Sequence, residues 1–163
     1  MTTLPRIATQ PTTSSVLDRA TSYLAAYSVT WLRVSLGLVI AGFGALKFFP
    51  QASPAEPLVM RTTEVLTFGL VQGRPAVIST AVLEVCMGLT LLTGRGLRAG
   101  LVAMAGWLVG IMSPIVLFAA DLFPGGLPTL EAQYVLKDVI LAAAGAVIAA
   151  RTLGARMVPP GRT

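Results

Sequence analysis

The chain has 163 residues, of which 55% are hydrophobic and only 12% are charged, whereas about 25% of residues are charged in an average soluble domain. This balance excludes a disordered chain and disfavours a water-soluble globule. We therefore interpret the net charge of +5 as a signal of membrane topology before considering nucleic-acid binding. With no His and a single Cys, Cys86, the sequence cannot supply a Ser-His-Asp triad, a His/Cys metal site, a His-ligated haem or an internal disulfide.

We therefore predict a membrane protein with no metal, no covalent cofactor and no nucleic-acid partner. Residues 1–15 lack the basic start and apolar stretch of a cleavable signal peptide, and we expect a flexible polar tail there. Residues 16–28 have apolar residues at helical spacing, and Tyr23, Tyr27 and Trp31 follow one another at i, i+4 and i+8. Aromatic rings in such a column favour the headgroup layer, so residues 16–28 are predicted to form a short interfacial helix before the first span.

Four apolar stretches follow, each near the roughly 17–25 residues that a helix needs to cross about 30 Å of hydrocarbon. They are residues 29–49, 76–93, 99–120 and 134–150. We predict an all-α fold, an integral membrane four-helix bundle over residues 29–156, with a tail at 157–163. The fourth stretch is short and carries two charges near its start, so a re-entrant helix is the alternative there.

The basic residues predict the orientation of these spans. The two terminal segments and the connection between spans two and three hold most of the loop arginines, whereas the opposite side holds only Arg61 and Arg74. By the positive-inside rule, both termini are cytoplasmic and the bilayer is crossed an even number of times.

The two outer connections differ in character. Residues 51–75 contain a capping box from Ser53 to Glu56, with Pro54 at the first helical position, and therefore predict a helix start. The apolar residues that follow recur on one side, so we expect an outer amphipathic helix lying flat between spans one and two. Residues 121–133 are rich in Pro and Gly, contain no basic residue and predict an irregular acidic loop.

Five charged residues fall inside the predicted spans. They are Arg33, Lys47, Glu84, Lys137 and Asp138. A charge at mid-membrane costs about 2.5–3.5 kcal/mol, so each is a candidate functional residue unless it reaches water or a partner. Arg33 lies near the inner end of its span and is long enough to reach the interface. Only Glu84, about 12 Å into span two at 1.5 Å per residue, is both deep and short.

The direction of helical side chains brings three of these charges together. Side chains lean toward the N-terminus of their own helix, so Lys47 leans inward from span one while Glu84 and Asp138 lean outward. We predict a charged cluster of Lys47, Glu84 and Asp138 in the outer half of the bundle, with Lys137 either joining it or pointing to headgroups. A buried pair that only fixes the register of the helices is the structural alternative.

Small residues recur at helical spacing on every span and predict the faces on which the helices pack. This packing stripe consists of Gly37 and Gly44 in span one, Gly88 in span two, Gly106 and Gly110 in span three, and Gly145 in span four. Cys86, which has no second cysteine or basic neighbour, is expected in the inert core.

Several short motifs, in this order, resemble the DoxX-like membrane proteins, in the branch that includes the YkgB and RclC proteins. Span one carries Leu-Arg-Val-Ser-Leu-Gly from Leu32 and ends in Gly-Ala-Leu-Lys-Phe-Phe-Pro from Gly44, and Ser-Pro-Ala-Glu-Pro-Leu follows it. Span two contains Leu-Glu at Glu84, and span four opens with Tyr-Val-Leu-Lys-Asp from Tyr134. The resemblance covers residues 32–145, while the N-terminal tail and interfacial helix are longer than in the family.

The resemblance implies a multi-pass protein of the bacterial inner membrane. The family takes its name from a subunit of a thiosulfate:quinone oxidoreductase, and relatives are linked with oxidant stress. We therefore expect a quinone-proximal or accessory membrane subunit of a redox or stress-response system, with other membrane redox proteins as partners and a quinone as the implied cofactor. The alternatives are a structural assembly or scaffold subunit and a small proton-linked transporter using Glu84. The sequence defines no reaction and leaves a homo-oligomer open.

Overall fold

The computed structural model describes residues 14–155 of the chain. Its helices are α1 (Ser14–Leu46), α2 (Glu56–Leu66), α3 (Gly73–Thr93), α4 (Leu97–Met112), α5 (Pro114–Leu117), α6 (Ala119–Leu122) and α7 (Leu130–Thr152). A 3₁₀ turn, Pro124–Gly126, lies between α6 and α7. The predicted tails at residues 1–15 and 157–163 lie outside the described residues, apart from the first two residues of α1.

The all-α prediction is confirmed for the described residues, which contain no strand. Four segments are long and apolar enough to cross a membrane, namely Val16–Leu46, Gly73–Thr93, Leu97–Leu117 and Leu130–Thr152. Both α1 and α4 contact α3 and α7, so each of the four long helices packs against two others. All four contribute to one buried apolar core, which contains Leu36, Ile40, Met87, Leu91, Met104, Leu108, Ala144 and Ile148.

The first helix is one continuous element. The predicted interfacial helix and first span together form α1, which ends at Leu46, so Lys47 lies in the turn that follows. The side chains of residues 16–27 are all exposed, and this part of α1 extends beyond the packed core. The Tyr23 ring lies 4.8 Å from that of Tyr27 and 5.8 Å from that of Trp31, so the aromatic column is present on one face of the helix.

The predicted helix cap at Ser53 is wrong. The helix α2 begins at Glu56 with Ala55 as its N-cap residue and without a side-chain cap, and Ser53 is instead buried at 4% exposure. The reason lies in Glu56, whose carboxylate accepts hydrogen bonds from the Gln51 backbone N–H and from Arg74 rather than closing a capping box. Leu58 of α2 packs against an apolar cluster of Phe118, Leu122 and Ala132, which holds α2 over the ends of the long helices.

Glycines set the close approach of α1 to α3. A Cβ added to Gly88 would lie 2.6 Å from Ala41 Cβ, and one added to Gly37 would lie 3.0 Å from the Gly88 carbonyl oxygen. At the next contact along the helices, a Cβ on Gly44 would come within 2.8 Å of Glu84 Cβ. The distances at Gly88 and Gly44 are shorter than real Cβ contacts, so a larger residue at either position would push the two helices apart, and the distance at Gly37 is at the limit. Gly145 of α7 likewise faces the end of the Met104 side chain.

The predicted packing role of Gly106 and Gly110 is wrong. Neither residue would bring an added Cβ within 4 Å of another part of the described chain. Met104 and Leu108 are the buried side chains of α4, and Gly106 lies two residues, or about 200°, from each of them. The close approach of α4 to α3 occurs instead at Gly100, where a Cβ would meet Thr90.

Cys86 is also misplaced by the sequence prediction. It is exposed rather than buried in the core. It lies two residues from buried Glu84 and therefore on the opposite face of α3.

Candidate functional site

Lys47 and Glu84 form a buried ion pair between α1 and α3. The Lys47 Nζ lies 2.7 Å from Glu84 Oε1 and 2.5 Å from Oε2, so it donates to both carboxylate oxygens. The two residues are 5% and 2% exposed. Gly44 allows α1 to approach the Cβ of Glu84, and Lys47 follows it by one short turn, with its N–H donating to the Gly44 carbonyl at 3.1 Å. The local backbone thus directs the lysine toward α3.

Trp107 completes the partners of this carboxylate. Its Nε1–H donates to Glu84 Oε1 at 3.2 Å from α4. Trp107 was not among the predicted site residues, although the sequence contains a signal for it. Glu84 and Trp107 lie at similar sequence distances from the tight turn between α3 and α4, so antiparallel helices place them at the same depth, and a buried indole N–H requires an acceptor. Trp107 is half-buried, whereas the two charged residues are buried, and we call Lys47, Glu84 and Trp107 the buried triad after the ion pair at its centre.

Asp138 of α7 lies near the buried triad without joining it directly. Its side chain is half-buried, and Lys137, Lys47 and Glu84 are the charged groups nearest in effect to its carboxyl group. Among the residues that the structure describes, Asp138 has no salt-bridge partner within 4.0 Å. The interior therefore carries two carboxylates and one ammonium group, with only one of the carboxylates in direct contact with that group.

Lys137 points away from the triad. It is exposed, and its Nζ lies 3.8 Å from the centroid of the Tyr134 ring one turn earlier in α7. A cation over an aromatic face is attracted by the negative face of the ring. Of the three residues predicted to cluster, the structure thus brings Lys47 and Glu84 into contact and leaves Asp138 nearby. Of the two alternatives given for Lys137, it does not join the cluster.

A second ion pair holds the turn that carries Lys47. Arg74, at the start of α3, donates to Glu56 Oε1 at 3.1 Å and to the Phe48 carbonyl oxygen at 2.6 Å. The other Glu56 oxygen accepts from the Gln51 N–H at 2.9 Å. Arg74 and Glu56 therefore bind the backbone of the turn after Lys47 at two points, the Phe48 carbonyl and the Gln51 N–H. We call this arrangement the Arg74 clasp.

The α2 helix is joined to the opposite connection by Arg61. Its guanidinium lies 3.9 Å from the centroid of the Phe118 ring and 2.7 Å from Asp121 Oδ2. Both charged side chains are more than half exposed, so this pair contributes little to stability. Together with the apolar contact of Leu58, it fixes α2 beside the α5–α6 segment at one end of the long helices, which we call the α2 end.

Arg33, in the middle of α1, contacts the C-terminal end of α3. Its guanidinium donates to the carbonyl oxygens of Leu91 and Leu92, in the last turn of α3. Carbonyl groups in a last helical turn lack intrahelical donors, and a positive charge is favourable there. Arg33 of α1 thus caps the C-terminal end of α3. Its position in the sequence did not reveal these carbonyl partners.

The burial of Lys47 and Glu84 limits the access of water or a substrate to the buried triad, and therefore the chemistry available there. Two apolar crevices, of about 390 and 170 Å³, lie along the exposed side of α1, and neither is lined by Lys47, Glu84 or Asp138. Over residues 14–155, no group of three His, Cys, Asp or Glu side chains is arranged to hold a metal ion. The ion pair at the centre of the triad is buried and carries no net charge.

Comparison of the chain with models of protein families, with curated protein sequences and with solved structures found no match.

Proposed function

We propose that the protein is an accessory membrane subunit of a redox or oxidant-stress system, of the DoxX-like type. The observation that carries this proposal is the buried ion pair of Lys47 and Glu84. These two residues belong to separate motifs on which the resemblance rests. Their contact gives a physical reason for a charged residue in each motif, because each charge needs the other as its buried partner. Because the pair is covered and every charge in it has a partner, it favours a subunit that maintains its fold over one that exchanges substrate at this position.

The proposed location is the bacterial inner membrane, with a four-helix bundle crossing it, both termini cytoplasmic and α2 on the outside. Four helices of sufficient length and hydropathy support it. The α3–α4 connection, with Arg95 and Arg98, then lies on the cytoplasmic side, where positive residues are preferred. Arg33 near the same end is consistent with this orientation.

A structural scaffold for a complex without redox activity is the second candidate. The fully partnered triad favours it equally, because buried networks of this kind maintain helix register. The proton-linked transporter is less well supported, since Glu84 at 2% exposure would need an opening of the fold to exchange protons with water.

Purification of the tagged full chain from bacterial membranes in mild detergent tests the proposal. We expect a stoichiometric protein with a flavin, haem or iron–sulfur centre, or a bound quinone, identified by mass spectrometry and absorbance. A stoichiometric partner without redox groups would favour the scaffold instead. If cross-linking in intact cells also yields neither a redox protein nor a quinone, the redox proposal is rejected. A Gly88→Val variant, whose α1–α3 packing is disrupted, is the control for nonspecific capture.

A further inference from the structure

An apolar groove lies between α1 and α7. It has a volume of about 170 Å³ and is lined by Leu32, Ser35, Leu36, Val39, Ile140, Leu141 and Ala144. Its rim is open, since Val39 is 43% exposed and Ile140 is 70% exposed. The larger crevice of about 390 Å³ shares Val39 with this groove and continues along α1 as far as Leu46. The two features together form one apolar path along α1.

The length of this path suits a hydrocarbon chain. From Leu32 to Leu46 a helix rises about 21 Å at 1.5 Å per residue. One leaflet of a bilayer has a hydrocarbon depth of about 15 Å, half of the roughly 30 Å core. A single acyl chain therefore fits along the path without leaving it.

A basic side chain stands at one end of the groove. Lys137 lies on the face of α7 that lines the groove, because Ile140, Leu141 and Ala144 all fall within about 60° of it at 100° per residue. It precedes Ile140 by one turn, on the side of the α2 end, and its side chain leans further that way. The ammonium group thus lies beyond the apolar lining, on the same face of the helix.

The charge of Lys137 is available to a ligand. Its Nζ is held over the Tyr134 ring at 3.8 Å. Within the part of the chain that the structure describes, no carboxylate lies within 4.0 Å of it. Asp138, the adjacent acid, is half-buried, whereas Lys137 is exposed. An exposed cation above an open apolar groove is complementary to a molecule with one anionic head and one apolar tail.

We propose that the α1–α7 groove binds an anionic phospholipid, with one acyl chain along α1 and its phosphate paired to Lys137 beside Tyr134. Ser35 lies in the groove wall, where a larger side chain would obstruct the acyl chain. This inference rests on the membrane location given under the proposed function, and it does not depend on a redox partner.

Native mass spectrometry of the purified full chain tests this site. The detergent-solubilised protein is incubated with phosphatidylglycerol or with phosphatidylcholine of identical acyl chains, and the retained lipid is measured. We expect one preferentially retained phosphatidylglycerol, with a preference reduced about fivefold in Lys137→Gln, as expected for loss of one lysine near a membrane surface. Lys137→Arg should restore the preference.

Two further variants separate the head and tail contributions. Ser35→Trp should reduce the retention of both lipids, because it fills the groove. Arg95→Gln, which removes an exposed charge from the turn between α3 and α4, should leave both unchanged. Retention of phosphatidylglycerol by Lys137→Gln at the level of the unmodified chain would overturn the phosphate contact. Unchanged retention in a folded Ser35→Trp variant would overturn the groove. Because no partner protein is present, neither result depends on the redox proposal.

Discussion

Lys47 and Glu84 meet across 37 residues of sequence, with the lysine Nζ donating to both oxygens of the carboxylate. The lysine follows the last residue of α1, and the glutamate lies in the middle of α3. Burial removes water as a substitute partner for either charge. Loss of one partner of such a pair is strongly destabilising, whereas joint replacement by uncharged residues is often tolerated.

Replacement of Lys47 alone should therefore be more harmful than replacement of both residues. We expect Lys47→Met to lower the free energy of unfolding by about 3–5 kcal/mol, because it leaves the Glu84 carboxylate unpaired. The double variant Lys47→Met/Glu84→Gln should recover most of this loss, since the amide oxygen can still accept from Trp107. Titration of the detergent-solubilised protein with sodium dodecyl sulfate, followed by circular dichroism, measures the difference. A double variant no more stable than the single one would show that the pair is not the source of the loss.

The indole of Trp107 should contribute through its hydrogen bond. Trp107→Phe keeps an aromatic ring but removes the donor to Glu84, and hydrogen bonds to charged groups contribute about 1.5–3 kcal/mol. Trp31→Phe is the matched control, because Trp31 is 55% exposed and has no such acceptor among the described residues. The same unfolding titration should show a loss for the first variant and almost none for the second. Equal effects would mean that ring size, and not the hydrogen bond, determines the result.

The glycines divide into two groups with opposite responses to alanine. Gly88→Ala should cost about 1–3 kcal/mol, because the new Cβ would lie 2.6 Å from Ala41 Cβ. Gly106→Ala meets open space and should be neutral or stabilise the helix by up to about 1 kcal/mol. Comparison of the two unfolding midpoints checks this difference in sign. A large loss at Gly106 would indicate that a second copy or another protein covers that face of α4.

The contrast between these glycines shows how far the sequence predicts this fold. Hydropathy and length are sufficient to predict four long apolar helices, and the contact of Lys47 with Glu84 was also predicted. The predicted reason for that contact does not apply to Lys47, because this residue lies in the turn after α1, where the local backbone and not the lean of a helical side chain sets its direction. The rotation of α4 depends instead on tertiary packing of Met104 and Leu108, which small-residue spacing does not report. The predicted Ser53 cap is absent for a similar reason. Glu56 pairs with Arg74, which is distant in the sequence, instead of completing the capping box with Ser53.

The proposed orientation predicts which loops are accessible from outside the cell. In a Cys86→Ser background, Gln72→Cys lies in the exposed connection before α3 and Arg95→Cys lies in the exposed turn after it. We expect a membrane-impermeant thiol reagent to label the first in intact cells and the second only after the membrane is permeabilised. The reverse pattern would invert the orientation and place the buried triad nearer the cytoplasmic side.

The Arg74 clasp should control how well Lys47 is protected. Arg74→Gln removes the donors to Glu56 and to the Phe48 carbonyl, so the turn after Lys47 loses its tie to α3. We expect Lys47 to react about fivefold faster with an amine-reactive ester, as a loss of about 1 kcal/mol in local opening free energy would produce. Mass spectrometry of the digested protein measures the reaction at this lysine.

Arg61→Gln provides the matched control for the clasp. It also removes an arginine that pairs with an acid, but Arg61 and Asp121 tie α2 to the α5–α6 segment and do not contact the turn after Lys47. Lys47 should therefore stay protected in this variant. Lys137 is exposed in the unmodified chain and should react at a similar rate in all three proteins, which corrects for differences in reagent activity. If Arg61→Gln exposes Lys47 as much as Arg74→Gln does, α2 as a whole protects the lysine and the clasp has no specific part in it. If neither variant changes its reactivity, the contacts of Lys47 with Glu84 are sufficient by themselves to keep the pair closed.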